Sequence, residues 1–112
     1  MPGGPFGDVN MPFTKVAAVQ EVPLGTSKQL SVGGRTLALF NVAGAFHAID
    51  DTCPHRGGPL SEGELAGAEV TCPWHGARFD VTSGAVLAPP ARSGVASYKV
   101  QVVGDEIQID LP

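Results

Sequence analysis

Residues 35–50 read RTLALFNVAGAFHAID, and this stretch decides the fold class. RTLALFNV is rich in β-formers and free of glycine and proline, so it reads as a strand. Ala43-Gly44 interrupts it, and AFHAID follows as a second strand. Working outward, Gly33-Gly34 is a hairpin-type turn joining KQLSV to RTLALFNV, and FTKVAAV supplies an earlier strand from Phe13. Near the C-terminus, SYKVQVV and EIQIDL alternate with period two around Gly104-Asp105, as an antiparallel sheet with one buried face requires. No 3.6-residue periodicity lasts three turns, and SEGELAG has room for a short turn of helix at most. Fifteen glycines and ten prolines among 112 residues suit a chain of tight connections. The expected fold is all-β, with stacked antiparallel sheets in a single domain over residues 1–112 and a smaller subdomain over about residues 51–81.

Size and charge narrow the function. A chain of this length fits one domain with one modest core. Residues 1–10, MPGGPFGDVN, are rich in glycine and proline, and Met11 opens a more ordinary sequence; residues 1–11 are therefore set aside as a disordered leader. No stretch approaches the roughly 20 apolar residues of a membrane helix, and no basic segment precedes an apolar one as in a secretory signal. The expectation is a soluble protein of the reducing cytoplasm. Seven basic residues against eleven acidic ones give a formal net charge of −4, which argues against a nucleic-acid partner. No Ser-His-Asp arrangement, phosphate loop or nucleotide fingerprint is present.

The chemistry is concentrated in Cys53-Pro54-His55-Arg56-Gly57-Gly58 and Cys72-Pro73-Trp74-His75-Gly76. As spacing this is C-x-H, sixteen residues, then C-x-x-H. Each half supplies one thiolate and one imidazole, an arrangement suited to two loops gripping a metal centre. Proline after each cysteine limits the entropy lost on binding, and glycine close behind each histidine lets the backbone approach closely. Four nitrogen and sulfur ligands also suit mononuclear zinc, although zinc sites usually pair two cysteines and then two histidines.

The paired segments resemble the Rieske [2Fe–2S] motif, whose His₂Cys₂ ligand set differs from the four cysteines of other clusters. The resemblance runs from about Phe13 to Leu111, through AIDDTCPH before the first loop, CPWHGARFD in the second, and SGAVLAPPA, which is similar to the family's proline-containing loop over the cluster. It implies that Cys53 and Cys72 hold one iron and that His55 and His75 hold the other through Nδ1. It also implies a soluble ferredoxin that is not itself an enzyme, passing single electrons from a flavin-dependent ferredoxin reductase to a terminal oxygenase. The small Rieske subunit of a nitrite reductase and a zinc-stabilised interaction module are the alternatives. High-potential Rieske proteins carry a disulfide and sulfur-facing hydroxyls where this sequence has Gly58, Trp74, Ala77 and Phe79, so a low-potential centre is expected.

The neighbouring residues have plainer readings. His47 is an ordinary strand residue, Trp74 packs its loop, and Phe79 belongs to the core. Arg56, Arg78, Glu62 and Glu64 are solvated charges. Asp50 and Asp51 are adjacent in an extended segment, so their side chains point apart and serve a turn or cap rather than a catalytic pair.

Overall fold

The computed structural model describes residues 13–54, 57–74 and 76–110. The leader expected over residues 1–11 lies outside them. The strands are β1 (Phe13–Ala18), β2 (Ser27–Val32), β3 (Arg35–Val42), β4 (Ala45–Asp50), β5 (Glu64–Ala66), β6 (Glu69–Thr71), β7 (Arg78–Asp80), β8 (Val86–Ala88), β9 (Ser97–Tyr98), β10 (Val100–Val103) and β11 (Glu106–Asp110). They form three sheets, ordered β1-β11-β10, β2-β3-β4-β9 and β5-β6-β7-β8, and every pairing is antiparallel. Among the described residues there is no α-helix, only 3₁₀ turns at Val19–Glu21 and Leu60–Glu62, and no helix is long and apolar enough to cross a membrane. The all-β expectation holds.

The run LALF in β3 explains the layering. Successive side chains of a strand point to opposite faces, so an unbroken apolar run belongs to a strand buried on both sides. Leu37 and Leu39 pack with Ala48, Ile107 and Ile109 in one core. Ala38 and Phe40 pack with Ile49, Val70, Phe79 and both cysteines in the other. The β3–β4 hairpin is thus a wall shared by two cores. Phe40 is fully buried, and truncating such a ring to alanine costs about 3–5 kcal/mol.

One segment differs from its sequence reading, and SEGELAG adds a strand to the short turn expected there. SYKVQVV is two strands: Ser97 and Tyr98 pair with β4, whereas Val100–Val103 pair with β11. The chain changes sheets at Lys99, whose carbonyl accepts a hydrogen bond from the Asp110 N–H at 2.9 Å. Local alternation continues through such a crossing because it records which face is buried, not which strand is the partner. In SEGELAG, the 3₁₀ turn ends at Glu62 and the chain enters β5, opening a sheet that continues to β8 at Ala88.

The Gly33-Gly34 and Ala43-Gly44 turns both have positive φ at their two central residues, 58° and 79° in the first, 54° and 95° in the second. This is the twist that two-residue hairpins favour. Ala43 alone among the described non-glycine residues adopts positive φ, a conformation costing roughly 1–2 kcal/mol for a residue with a Cβ. Replacement of Ala43 by asparagine, which tolerates that region, should stabilise the fold by about 1 kcal/mol. In a thermal melt followed by circular dichroism, the midpoint of Ala43→Asn should rise by about 4 °C.

Candidate metal centre

The first loop leaves β4 at Asp50 and ends at Leu60; the second joins β6 to β7. Their backbones follow one plan. The Cys53 N–H donates to the Gly58 carbonyl at 2.9 Å, and the Cys72 N–H donates to the Ala77 carbonyl at 2.7 Å. In return, the Gly57 N–H donates to the Cys53 carbonyl at 2.7 Å, and the Gly76 N–H to the Cys72 carbonyl at 3.1 Å. Gly57 and Gly76 have φ of 82° and 81°, a region open to glycine at little cost. The two segments therefore carry the same pair of backbone bonds, each with a cysteine at its start.

Both cysteines point inward. Cys53 is 2% exposed and Cys72 3%, and they share one apolar cluster with Phe40, Leu60, Ala77 and Phe79. The loops approach so closely that a Cβ on Gly58 would lie 2.7 Å from Cys72 Sγ and 3.0 Å from Trp74 Cγ. Gly58 is required for space, while Gly57 and Gly76 are required for conformation. The segment after β8 reaches the same place: Ala91 joins the buried cluster, and Pro54 shares a hollow with Pro90, Arg92 and Ser93.

Of the predicted ligands, Cys53 and Cys72 are brought together, whereas His55 and His75 lie outside the described residues. Among the described residues no group of three or more His, Cys, Asp or Glu side chains is gathered as a metal site. Phe79 is core, as expected. Trp74 is not packed away: it sits beside Gly58 yet is 55% exposed. His47 lies in β4 opposite Phe40, and Arg78 forms an exposed pair with Glu69 at 3.4 Å. Asp50 and Asp51 do point apart. Asp50 Oδ1 accepts a 2.6 Å bond from the Tyr98 hydroxyl, and Asp51 is buried among donors from two other segments. The depth and connectivity of Asp51 were missed by the sequence reading, which offered no signal beyond its position two residues before Cys53.

The model of the Rieske [2Fe–2S] domain matches residues 12–99. The chain belongs to the Rieske [2Fe–2S] family. The ferredoxin component of the naphthalene 1,2-dioxygenase system of Pseudomonas aeruginosa is 38% identical over 94 residues, covering 84% of this chain and 90% of that protein. Among solved structures, the ferredoxin of carbazole 1,9a-dioxygenase from Nocardioides aromaticivorans superposes with a TM-score of 0.86 at 29% identity, over 89% of this chain and 98% of its own. A complex of reduced oxygenase and oxidised ferredoxin in carbazole 1,9a-dioxygenase contains a chain matching with a TM-score of 0.83 at 33% identity, over 90% of this chain and 94% of that one.

A Rieske domain carries a [2Fe–2S] cluster, and the residues present fit that group. Both cysteines are buried in one cluster, and the sulfur of Cys72 lies where Gly58 has no room even for a methyl group. In Gly58→Ala, Cys72 Sγ has to shift, at an overpacking cost of about 1–3 kcal/mol. Iron and acid-labile sulfide per purified chain should fall well below wild type, while far-ultraviolet circular dichroism should stay unchanged.

The turn after β7 has its own electrostatics. Asp80 Oδ1 accepts bonds from the Thr82 hydroxyl at 2.6 Å and the Thr82 N–H at 2.8 Å, and these donors hold its carboxyl below the usual aspartate range. The lowered folded value means that this contribution is complete above the unfolded value of about 3.9. It is lost as pH falls through the folded value. Replacing Asp80 by asparagine should lower the thermal midpoint near neutral pH and flatten its decline below about pH 4.

Proposed function

We propose that this chain is a ferredoxin, with its cluster held by Cys53, His55, Cys72 and His75, that carries single electrons from a flavin-dependent reductase to a terminal oxygenase. The observation that carries this reading is the pair of matching loops burying Cys53 and Cys72 in one cluster beneath an exposed tip. Pro54, Gly57, Pro73, Trp74 and Gly76 are exposed around that tip, which supports it as the face for electron exchange. The cluster supplies reversible one-electron redox chemistry. The chain holds it, excludes water from the sulfurs through Leu60, Ala77, Phe79 and Ala91, and leaves the loop tip open for electron exchange. His55 and His75 are assigned by their place in the C-x-H and C-x-x-H segments of the family motif. The ferredoxin components of the naphthalene and carbazole dioxygenase systems support the assignment to an oxygenase. A reducing cytoplasm suits thiolate ligands.

The surroundings of the sulfurs favour a low potential. Ala77 and Phe79 are fully buried in the cluster that holds both cysteines, and neither has a hydroxyl to donate to sulfur. Without such donors the added electron is less stabilised. The midpoint should lie towards the −150 mV end of the roughly −150 to +300 mV span of His-ligated centres.

Single-turnover transfer tests the function. The chemically reduced chain, mixed anaerobically with the oxidised oxygenase component of a ring-hydroxylating dioxygenase, should reoxidise with one electron delivered per chain. Cys72→Ser should deliver none. A wild-type chain that takes up two electrons at once, or stays reduced beside every such oxygenase, would refute the reading.

A further inference from the structure

Asp51 is the one buried acidic or basic side chain among the described residues. It is 2% exposed and makes four hydrogen bonds. Its Oδ2 accepts from Gln29 Nε2 on β2 at 2.7 Å, and its Oδ1 accepts from the Ser61 N–H at 2.7 Å. Its own N–H donates to the Thr36 carbonyl on β3 at 3.1 Å, and its carbonyl accepts from the Leu60 N–H at 2.7 Å. One residue thereby ties the start of the first loop to its end at Leu60–Ser61, and both to the middle sheet, β2-β3-β4-β9. The tie continues down the loop, through the bridge between Thr52 and Pro59 and the Cys53–Gly58 bond, to the cysteine itself.

Hydrogen bonding alone does not call for a carboxylate here. An asparagine would make both side-chain contacts once the Gln29 amide turned over. Among the described residues the ion pairs are Lys28–Glu21 and Arg78–Glu69, so no described cation offsets Asp51. A buried carboxylate paired only with neutral donors is costly to keep. What the charge adds is a negative field two residues from Cys53, and reduction brings a further negative charge to the cluster.

We propose that Asp51 is a positioning residue for the cluster: it fastens the first loop to the middle sheet and, through its buried negative charge, holds the reduction potential down. This rests on the cluster being held at Cys53 and Cys72. Three full-length variants loaded with cluster separate the two effects. Asp51→Asn removes the charge and keeps the contacts. Gln29→Lys, at an exposed position of β2, places a cation against the carboxylate. Asp51→Ala removes charge and contacts together. Iron and sulfide per chain, the midpoint potential, and the rate of cluster loss to a chelator are measured for each.

Asp51→Asn and Gln29→Lys should load as wild type and favour the reduced state. For Asp51→Asn the shift should be tenfold or more, equivalent to about 59 mV for a one-electron couple. Asp51→Ala should in addition lose its cluster several-fold faster than Asp51→Asn. A fully loaded Asp51→Asn with the wild-type midpoint would overturn the proposal. Should Asp51→Asn fail to load, an unchanged midpoint in Gln29→Lys would overturn it and a raised one would sustain it. Wild-type protein without iron and sulfide would instead refute the cluster reading itself, and the role of Asp51 with it.

Discussion

The hydrogen bond from each cysteine N–H to the carbonyl five residues on is the constraint on which the site depends. Repeated at Cys53 and Cys72, it forces two short loops into the same turn and aims both sulfurs inward. Satisfying the backbone within each loop also removes the penalty that otherwise keeps irregular backbone out of an apolar interior. The glycines divide the remaining work. Gly57 and Gly76 permit the turn, and Gly58 permits the approach of the second loop to the first.

The middle sheet is what holds these loops in place. Because β3 is apolar on both faces, β3 and β4 serve the core with β11 and the core with the cysteines at once. The first loop starts directly from β4, and its far end is fastened to β2 and β3 through Asp51 and through the Ser27 hydroxyl, which donates to the Ser61 carbonyl at 2.6 Å. The second loop spans β6 and β7, whose Val70 and Phe79 pack on the same core. A rigid frame under short loops is the usual way of holding a functional group in fixed geometry.

Much of this was legible in the sequence. RTLALFNV and AFHAID became β3 and β4 with their expected bounds, because composition and a two-residue turn are local signals. The Rieske domain was legible from the paired Cys-His segments, an equally local signal. What escaped depended on distant partners. SYKVQVV hides its change of sheet, since Tyr98 and Val100 alternate correctly whichever neighbour each strand has. The three-residue strands β5 and β6 are too short to show a period. The outward position of Trp74 follows from its place at the loop tip, where Gly58 takes up one side of the ring. Asp51 was read as a turn residue because nothing beside it in sequence reveals Gln29, Thr36 and Ser61 in space.

The ligation proposed for the cluster is mixed, with cysteine sulfur on one iron and histidine nitrogen on the other. Electron–nuclear double resonance on the dithionite-reduced protein measures this directly. Two distinct strongly coupled nitrogens are predicted, with one coupling lost when His55 is replaced by cysteine and the other when His75 is. A reduced cluster without nitrogen coupling, or a colourless protein containing zinc in place of iron, would contradict the account.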